Sequence, residues 1–235
     1  MYNKKLSPLR ESISQFFILA SFVVALVYGG QWYPQEDWWP VITKGATVSL
    51  ISLFVIVRMQ TVNHFLLFLA LIASVAGDVL LAMPIENSFI KGLSAFLSAH
   101  LIFIGLYIKN KQAWSDISRL RKQIMLVLWI IAVASTALLY PYLGDMLIPV
   151  LAYTFVLTSM ASAALMSRFS PMLVGTGAIL FLISDAVLGA RQFLSVPEYF
   201  GHIVWGTYYF AQLFMTLGIM LTDERRTHYG GYRFD

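Results

Sequence analysis

Hydrophobic residues run through this chain in long stretches that turn-forming or charged residues separate. A helix needs about 20 mostly apolar residues to cross the hydrocarbon core of a bilayer. By that measure the pattern predicts eight spans, at residues 12–31, 40–58, 62–83, 90–109, 123–141, 147–166, 171–194 and 199–222. The prolines from Pro34 onward lie between these stretches or at their ends, and none is expected to interrupt a helix. The pattern therefore predicts an all-α polytopic membrane protein, with residues 1–235 forming one membrane domain.

The composition agrees with this pattern. The chain has 235 residues, of which 59% are hydrophobic and 12% are charged. Soluble domains carry about 25% charged residues, so a soluble enzyme is excluded. The absence of cysteine excludes a disulfide scaffold, a thiolate metal site and a cysteine nucleophile. The first stretch ends without a small-residue cleavage pattern, so we expect a span there and not a signal peptide.

The basic residues concentrate in segments that eight spans would place on one side of the membrane. Of the 16 Lys and Arg residues, all but Lys44, Lys91 and Arg191 fall in these segments. By the positive-inside rule both termini are expected in the cytoplasm and the protein in the cell (inner) membrane. The basic residues are then explained by the orientation of the spans in the membrane, and no nucleic-acid partner is expected. The segments hold Lys4, Lys5 and Arg10, Arg58, the basic residues of 109–122, Arg168, and Arg225, Arg226 and Arg233.

Four ionisable residues stand out inside the predicted spans, all in the half of the membrane away from those basic segments. They are Lys44, Asp78, His100 and Asp185. A charge at the centre of a spanning helix costs about 2.5–3.5 kcal/mol on insertion scales. A lone Lys near a helix end often extends to the interface, and a lone His more often bonds a neighbouring helix than takes part in catalysis, whereas structure seldom needs uncompensated Asp residues. The other half of the spans is expected to hold hydroxyls such as Thr158 and Ser162 but no comparable charge. The two aspartates are the strongest candidates for catalysis.

Further polar residues lie at a similar depth. Tyr208, Tyr209 and Gln212 lie toward one side of the eighth span and are expected to point into the same chamber. Arg191 follows Asp185 and is expected at the chamber mouth, where a guanidinium can bind a lipid phosphate. Spans two, three, four, seven and eight would enclose this chamber. One stripe of the fourth span would face it, comprising Gly92, Phe96, His100, Phe103 and Tyr107.

A short internal similarity relates the two aspartates. Residues 77–82 (GDVLLA) resemble residues 184–189 (SDAVLG), and both lie on spans that run in the same direction. A parallel 4+4 duplication would produce this pattern, with a pseudo-two-fold axis along the membrane normal. Asp78 and Asp185 would then face each other across that axis.

Two aspartates and one lysine in a low-dielectric chamber favour a particular charge state. The least costly state pairs one ionised aspartate with Lys44 and keeps the other aspartate protonated. An acid beside a base suits hydrolysis of an acid-labile bond. The sequence has no H-x-x-x-H or H-E-x-x-H pattern, G-x-S-x-G elbow or P-loop. No metal site and no cofactor are expected, and no oligomeric state is predicted.

The order and spacing of these residues resemble the YhhN-like membrane proteins, whose characterised members are lysoplasmalogenases. The chain departs from that family pattern at Gly45, where Pro is usual, and at Phe103, where Tyr is usual. The shared positions are Lys44, Gly77-Asp78, Leu81, Phe89, Gly92, Phe96, His100, Gly177-Ala178, Phe181, Ser184-Asp185, Phe193, Tyr208-Tyr209 and Ala211-Gln212.

The resemblance implies hydrolysis of the vinyl ether bond of a lysophospholipid drawn from the bilayer. The expected products are a fatty aldehyde and glycerophosphoethanolamine or glycerophosphocholine. One of Asp78 and Asp185 would donate a proton and the other would activate water, with Lys44 setting which one is ionised. The remaining polar side chains would position water and the glycerol or phosphate. They are His100, Tyr208, Tyr209 and Gln212.

Two other functions fit some of these residues. A lipid or small-molecule transporter also uses intramembrane charges. A transporter needs access from both sides, and the lack of charged or strongly polar positions in the cytoplasmic half of the predicted spans argues against it. An intramembrane aspartyl protease also places two aspartates on neighbouring helices. Its Gly-x-Gly-Asp and Tyr-Asp contexts differ from Gly77-Asp78 and Ser184-Asp185. Both functions stay alternatives to the hydrolase.

Overall fold

A computed structural model describes residues 7–34 and 38–229, with side chains described as far as Asp223. The described part of the chain contains eight α-helices, which confirms the all-α class. They are α1 (Pro8–Gly29), α2 (Trp39–Val57), α3 (Val62–Ala82), α4 (Ser88–Lys109), α5 (Arg119–Leu143), α6 (Leu147–Met166), α7 (Thr176–Phe193) and α8 (Phe200–Tyr229). Lys4, Lys5 and Arg233 lie outside the described residues, as do the side chains of Arg225 and Arg226.

Most helices begin and end near the predicted positions, and the differences are local. The helix α5 begins earlier than the predicted 123, because Ser118 caps it by accepting a hydrogen bond from the Arg121 backbone N–H. The start of the predicted seventh span, Pro171–Gly175, forms a π-helical turn before α7. At the other end of the chain, α8 continues to Tyr229.

The number of membrane-crossing stretches differs from the prediction of eight. Within the described residues, seven helical stretches are long and apolar enough to cross a membrane. The difference arises at Arg119–Met166, where α5, a 3-10 turn and α6 follow one another without a break over 48 residues. The stretch is nevertheless two helices that fold back on each other. Arg121 Nε, near the start of α5, donates to the Leu165 carbonyl near the end of α6 at 2.9 Å. Gly144 makes this turn with a φ of 48°, which glycine adopts at little cost.

The expectation that no proline interrupts a helix is wrong at Pro141. This residue lies inside α5, close to the end of the helix at Leu143. Proline lacks an N–H and its ring crowds the preceding turn, so it disrupts a helix most in the interior. Near the end of α5 only the final turn is affected.

The helices pack mainly with their neighbours along the chain, and α8 closes the bundle against α1, α2 and α3. Glycines bring α3 and α4 close together near Asp78. A Cβ on Gly77 would lie 2.6 Å from the Phe96 ring, and one on Gly92 would lie 2.6 Å from Leu81 Cγ. Because neither contact leaves room for a side chain, these glycines fix the distance between α3 and α4. The predicted inward stripe of α4, which includes His100, is buried.

Candidate active site

Both aspartates line one cavity, which we call the polar cavity. It lies where α2 begins and α3 ends, and we call this the carboxylate end of the bundle. Lys44 and Arg191 also line it, and Asp78 is only 1% exposed. The five predicted spans therefore do enclose a common chamber, with Tyr28 of α1 as an additional wall.

Asp78 is held by a cation and a hydroxyl. Lys44 Nζ lies 3.6 Å from one carboxylate oxygen, and Tyr208 Oη donates to the other at 2.6 Å. Gln212 Nε2 in turn donates to Tyr208 Oη at 3.3 Å. A buried carboxylate loses its hydration, and these contacts replace part of that loss for the ionised form. The arrangement suits an Asp78 that carries a negative charge beside Lys44.

Asp185 has a different set of partners. Tyr153 Oη donates to Asp185 Oδ2, and the same hydroxyl lies 3.0 Å from His100 Nε2. His100 Nε2 is also 3.7 Å from Asp185 Oδ2. These contacts form a continuous line from α4 through α6 to α7. When the ring proton is on Nε2, His100 donates to Tyr153 and Tyr153 donates to Asp185.

Neighbouring contacts fix the part of α7 that carries Asp185. Ser184 Oγ donates to the Val204 carbonyl of α8 at 2.9 Å, which ties the two helices together beside the aspartate. A Cβ on Gly201 would lie 3.1 Å from Arg191 Nη1, so the guanidinium packs directly over this glycine. Gly201 thus makes room for Arg191 along the wall of the polar cavity.

Aromatic rings hold the two hydrogen-bonded groups in place. Phe181 packs edge to face with Tyr208, with ring centroids 5.4 Å apart, and with His100 at 4.7 Å. Phe96 packs edge to face with Tyr208 at 5.7 Å. Edge-to-face pairs of this kind add about 0.5–1.5 kcal/mol to the burial of each ring. Phe181 therefore connects the partners of Asp78 with those of Asp185.

The predicted residues divide into three groups. Lys44, Asp78, Asp185, Arg191 and Tyr208 line the polar cavity. His100 and Gln212 lie behind it, in hydrogen-bond contact with Tyr153 and Tyr208, respectively.

The structure does not bring Tyr209 to the polar cavity. Tyr209 faces α1, where Ser21 Oγ lies 3.5 Å from its hydroxyl and Phe22 packs at 6.2 Å between ring centroids. Successive residues of a helix point in directions about 100° apart, which separates Tyr209 from Tyr208. Both tyrosines lie about one helical turn from Gln212, so this spacing alone could not show that only Tyr208 faces the polar cavity.

Tyr153 is the site residue that sequence reasoning missed. It lies on α6, whose apolar residues surround the helix on all sides, and a single hydroxyl in such a helix is not a distinctive signal. Its position becomes meaningful only when the fold brings α4, α6 and α7 together.

A second, apolar cavity adjoins the polar cavity. It lies between α4, α5, α6 and α7, and we call it the apolar cavity. Asp185 and Leu188 line both cavities, whereas Asp78 and Lys44 line only the polar one. Asp185 therefore stands where the two spaces meet.

The opposite end of the bundle, which we call the amide end, holds a buried polar network. Asn63 Nδ2 donates to Asp223 Oδ2 at 2.9 Å, and Asn110 Nδ2 donates to Asn63 Oδ1 at 3.0 Å. His64 Nε2 lies 3.6 Å from Asp223 Oδ2. The expectation that this half holds no comparable charge is therefore wrong. Asp223 lies just beyond the predicted end of the eighth span, and the extension of α8 is what buries it.

Within the described residues, no group of three or more His, Asp or Glu side chains is placed to hold a metal ion.

The fold and this chamber define a multi-pass α-helical membrane protein with a charged cavity between its helices. The model of the YhhN family matches residues 39–219, and the chain belongs to that family. This confirms the resemblance on which the sequence analysis relied. No solved structure matches the chain.

Relatives with assigned names are similar over much of the chain. A Mycobacterium bovis protein named lysoplasmalogenase is 34% identical over 162 residues, which cover 66% of this chain and 60% of that protein. The chain thus spans about three-fifths of the mycobacterial relative. Human lysoplasmalogenase TMEM86B is 28% identical over 214 residues, 89% of each chain. Human lysoplasmalogenase TMEM86A is 24% identical over 224 residues, covering 88% of this chain and 90% of that protein.

Proposed function

We propose that this protein hydrolyses the vinyl ether bond of lysoplasmalogens, releasing a fatty aldehyde and glycerophosphoethanolamine or glycerophosphocholine. The names of the relatives support the substrate class. One observation carries the proposal. The carboxyl groups of Asp78 and Asp185 line the same cavity, and Lys44 forms an ion pair with Asp78. Vinyl ethers are cleaved by acid, and this cavity supplies an acid and a base together.

Asp185 is the proton donor and Asp78 is the base in this proposal. Lys44 Nζ lies 3.6 Å from Asp78, which favours a negative charge on that aspartate. A second negative charge in the same cavity would be repelled, so Asp185 keeps its proton in the resting state. The position of Lys44 beside Asp78 supports this order of roles, which the sequence leaves open.

The reaction then proceeds in balanced steps. Asp185 transfers its proton to the carbon of the vinyl ether that bears the chain, which leaves an oxocarbenium ion at the neighbouring carbon. Water attacks that carbon and gives a proton to Asp78, forming a hemiacetal. Asp78 then protonates the glycerol oxygen while Asp185 takes the hemiacetal hydroxyl proton, and the carbon–oxygen bond breaks. One water is consumed, and both carboxyl groups return to their starting states.

Other side chains support these two groups. His100 and Tyr153 orient the carboxyl group of Asp185 through hydrogen bonds. Tyr208 and Gln212 orient that of Asp78 in the same way. Arg191 lies in the wall of the polar cavity, where its guanidinium can bind the substrate phosphate. No cofactor enters the proposed reaction.

We further propose that the protein lies in the cell membrane with both termini in the cytoplasm. The support is the distribution of basic residues, because Lys109, Arg121 and Arg168 lie at the amide end. The carboxylate end then faces the outer leaflet, and lysophospholipids of that leaflet would reach the polar cavity.

The test is to incubate the purified protein with a lysoplasmalogen and, separately, with the ordinary acyl lysophospholipid. We expect aldehyde from the first and no fatty acid from the second. Fatty acid from the second would indicate an esterase. Lipid that binds without either product would favour a transporter, and a cleaved peptide substrate would favour the protease.

A further inference from the structure

The apolar cavity presents carbon atoms although hydroxyl residues line part of it. Thr158 Oγ1 donates to the Thr154 carbonyl at 2.7 Å, and Thr136 Oγ1 donates to the Ala132 carbonyl at 2.8 Å. Ser135 Oγ also donates to the Ala132 carbonyl, at 3.1 Å. Because these hydroxyls are bonded to their own helices, the cavity offers little to a polar ligand. Most of its other lining residues are apolar, among them Leu157, Leu182 and Phe193.

The apolar cavity shares wall residues with two other spaces. On one side it shares Asp185 and Leu188 with the polar cavity. On the other it shares Ala132, Thr136 and Thr154 with a groove between α5 and α6. The three spaces therefore lie next to one another, from the polar cavity past Asp185 to the outside of the bundle between α5 and α6.

Of the helices around the apolar cavity, α5 is the least buried. In α5, 5 of 25 residues are buried, whereas in α6, 9 of 20 are buried. A helix with few buried contacts separates from its neighbours at lower cost than one that is fully packed. A lipid chain that enters from the bilayer would therefore pass beside α5 more easily than between the more buried helices, without passing through water.

We propose that the apolar cavity binds the alkenyl chain of the substrate, with the vinyl ether at Asp185 and the glycerophospho head group in the polar cavity. The occupant is a single hydrocarbon chain because the cavity is apolar, adjoins a groove on the outside of the bundle and ends at a carboxyl group. This inference rests on the proposed function and extends it to chain recognition.

The same placement gives an independent reason for the roles of the two aspartates. Protonation of a vinyl ether occurs at the carbon that bears the chain, and water adds at the carbon next to oxygen. With the chain in the apolar cavity, the first carbon lies beside Asp185, which lines both cavities. The second carbon lies toward the polar cavity, where Asp78 and Lys44 are.

A pair of glycine substitutions tests the chain site. A Cβ on Gly189 would make an ordinary contact of 3.6 Å with Leu139 Cδ1 and lies in the wall of the apolar cavity, so Gly189→Leu fills part of that cavity. The matched control is Gly105→Leu on α4, where nothing lies within 4 Å of an added Cβ. Hydrolysis is measured with 16-carbon and 8-carbon alkenyl lysophospholipids.

We expect Gly189→Leu to lower kcat/KM for the 16-carbon substrate at least about tenfold, the equivalent of roughly two buried methylenes. The 8-carbon substrate should change less than about twofold by the same measure, and Gly105→Leu should leave both unchanged. An equal loss for both chain lengths, or no loss for the long chain, would overturn the chain site.

Binding separates failure of this inference from failure of the proposed function. Saturated alkyl ether lysophospholipids of 16 and 8 carbons cannot undergo vinyl ether hydrolysis, and their affinities are measured for the wild type and both variants. Weaker binding of the 16-carbon ether by Gly189→Leu alone supports the chain site even if no aldehyde is ever released. Aldehyde release with unchanged chain-length preference would support the reaction and reject the chain site.

A photo-crosslinking measurement on the wild type does not depend on any variant being folded. A lysophospholipid with a diazirine at the end of its alkyl chain should label peptides of α5 and α6. Labelling confined to α1 and α2 would overturn the proposal.

Discussion

The two ends of the helix bundle both hold buried charged residues, but these residues face different surroundings. At the carboxylate end Asp78, Asp185 and Lys44 line a cavity. At the amide end Asn63 and Asp223 are hydrogen bonded to each other between α3 and α8. The comparison shows that a buried charge alone does not mark a catalytic site. A space for a ligand beside that charge is also needed.

The amide end is organised as a connection between helices. Thr61 caps α3 by accepting from the His64 backbone N–H at 3.2 Å, and its hydroxyl donates to Asp223 at 2.9 Å. Arg168 Nε donates to Asn110 Oδ1 at 3.0 Å, which adds the segment after α6. These contacts join α3, α4 and α8, so we expect them to stabilise the bundle and not to take part in chemistry.

The largest expected effect is loss of aldehyde release in Asp185→Asn and in Asp78→Asn. Positioned acid or base groups contribute about 10²–10⁴-fold, so each variant should lose at least about 100-fold in kcat. The assay is aldehyde formation by equal amounts of folded protein. Asp223→Asn is the matched control from the amide end, and its activity per folded molecule should be retained. Full activity in either cavity variant would contradict the proposed roles.

Tyr153→Phe should have the next largest effect. The substitution removes the hydroxyl between His100 and Asp185 while keeping the ring. We expect kcat to fall roughly tenfold with little change in KM, because the donor loses orientation and not substrate contact. A larger change in KM than in kcat would instead indicate that Tyr153 binds substrate.

Asn63→Leu tests the amide end. It removes the Asn63 side-chain hydrogen bonds to Asp223 and Asn110 in a buried region. Loss of such partners typically costs about 1–3 kcal/mol, which should appear as easier unfolding in detergent. Activity of the remaining folded protein should match the wild type. A parallel loss of kcat without any loss of stability would show that the two ends are functionally coupled.

Arg191→Gln is expected to raise KM severalfold, roughly three- to tenfold for the loss of one charge-assisted contact, with kcat nearly unchanged. The comparison is between substrates with and without the phosphate group. If the variant discriminates these substrates as the wild type does, Arg191 does not bind the phosphate.

The smallest effect is expected for Tyr209→Phe. Tyr209 faces Ser21 on α1 and not the cavity, so kcat should stay within about twofold of the wild type. Tyr208→Phe is the matched comparison, because its hydroxyl donates to Asp78 at 2.6 Å. Equal effects of the two substitutions would contradict the separation of these neighbours.

The sequence predicted those parts of the site that stand out against an apolar background. Lys44, Asp78, His100 and Asp185 are ionisable residues within membrane spans, where their cost makes them conspicuous. The chamber that they form follows from the spans and their directions. Tyr153 could not be predicted in this way, because tyrosine is common in membrane helices and its partners come from α4 and α7.

The hydrophobic pattern also could not predict the residues at which α5 and α8 end. The apolar pattern ends the eighth span before Asp223, yet α8 continues and Asn63 binds this carboxylate. The pattern also predicts a boundary at Pro141, but α5 continues to Leu143. The predicted 4+4 pseudo-two-fold axis stays a prediction. The two aspartates that it relates do line the same cavity.

The most direct test of the central proposal is hydrolysis of a lysoplasmalogen in D₂O, with the aldehyde trapped at once and analysed by mass spectrometry. Proton transfer from Asp185 to the chain-bearing carbon predicts one deuterium on the carbon next to the aldehyde group, because a carboxyl proton exchanges with solvent. The Asp185→Asn variant should release essentially no labelled aldehyde. Unlabelled aldehyde from the wild type, or labelled aldehyde from Asp185→Asn at the wild-type rate, would contradict acid catalysis by this residue.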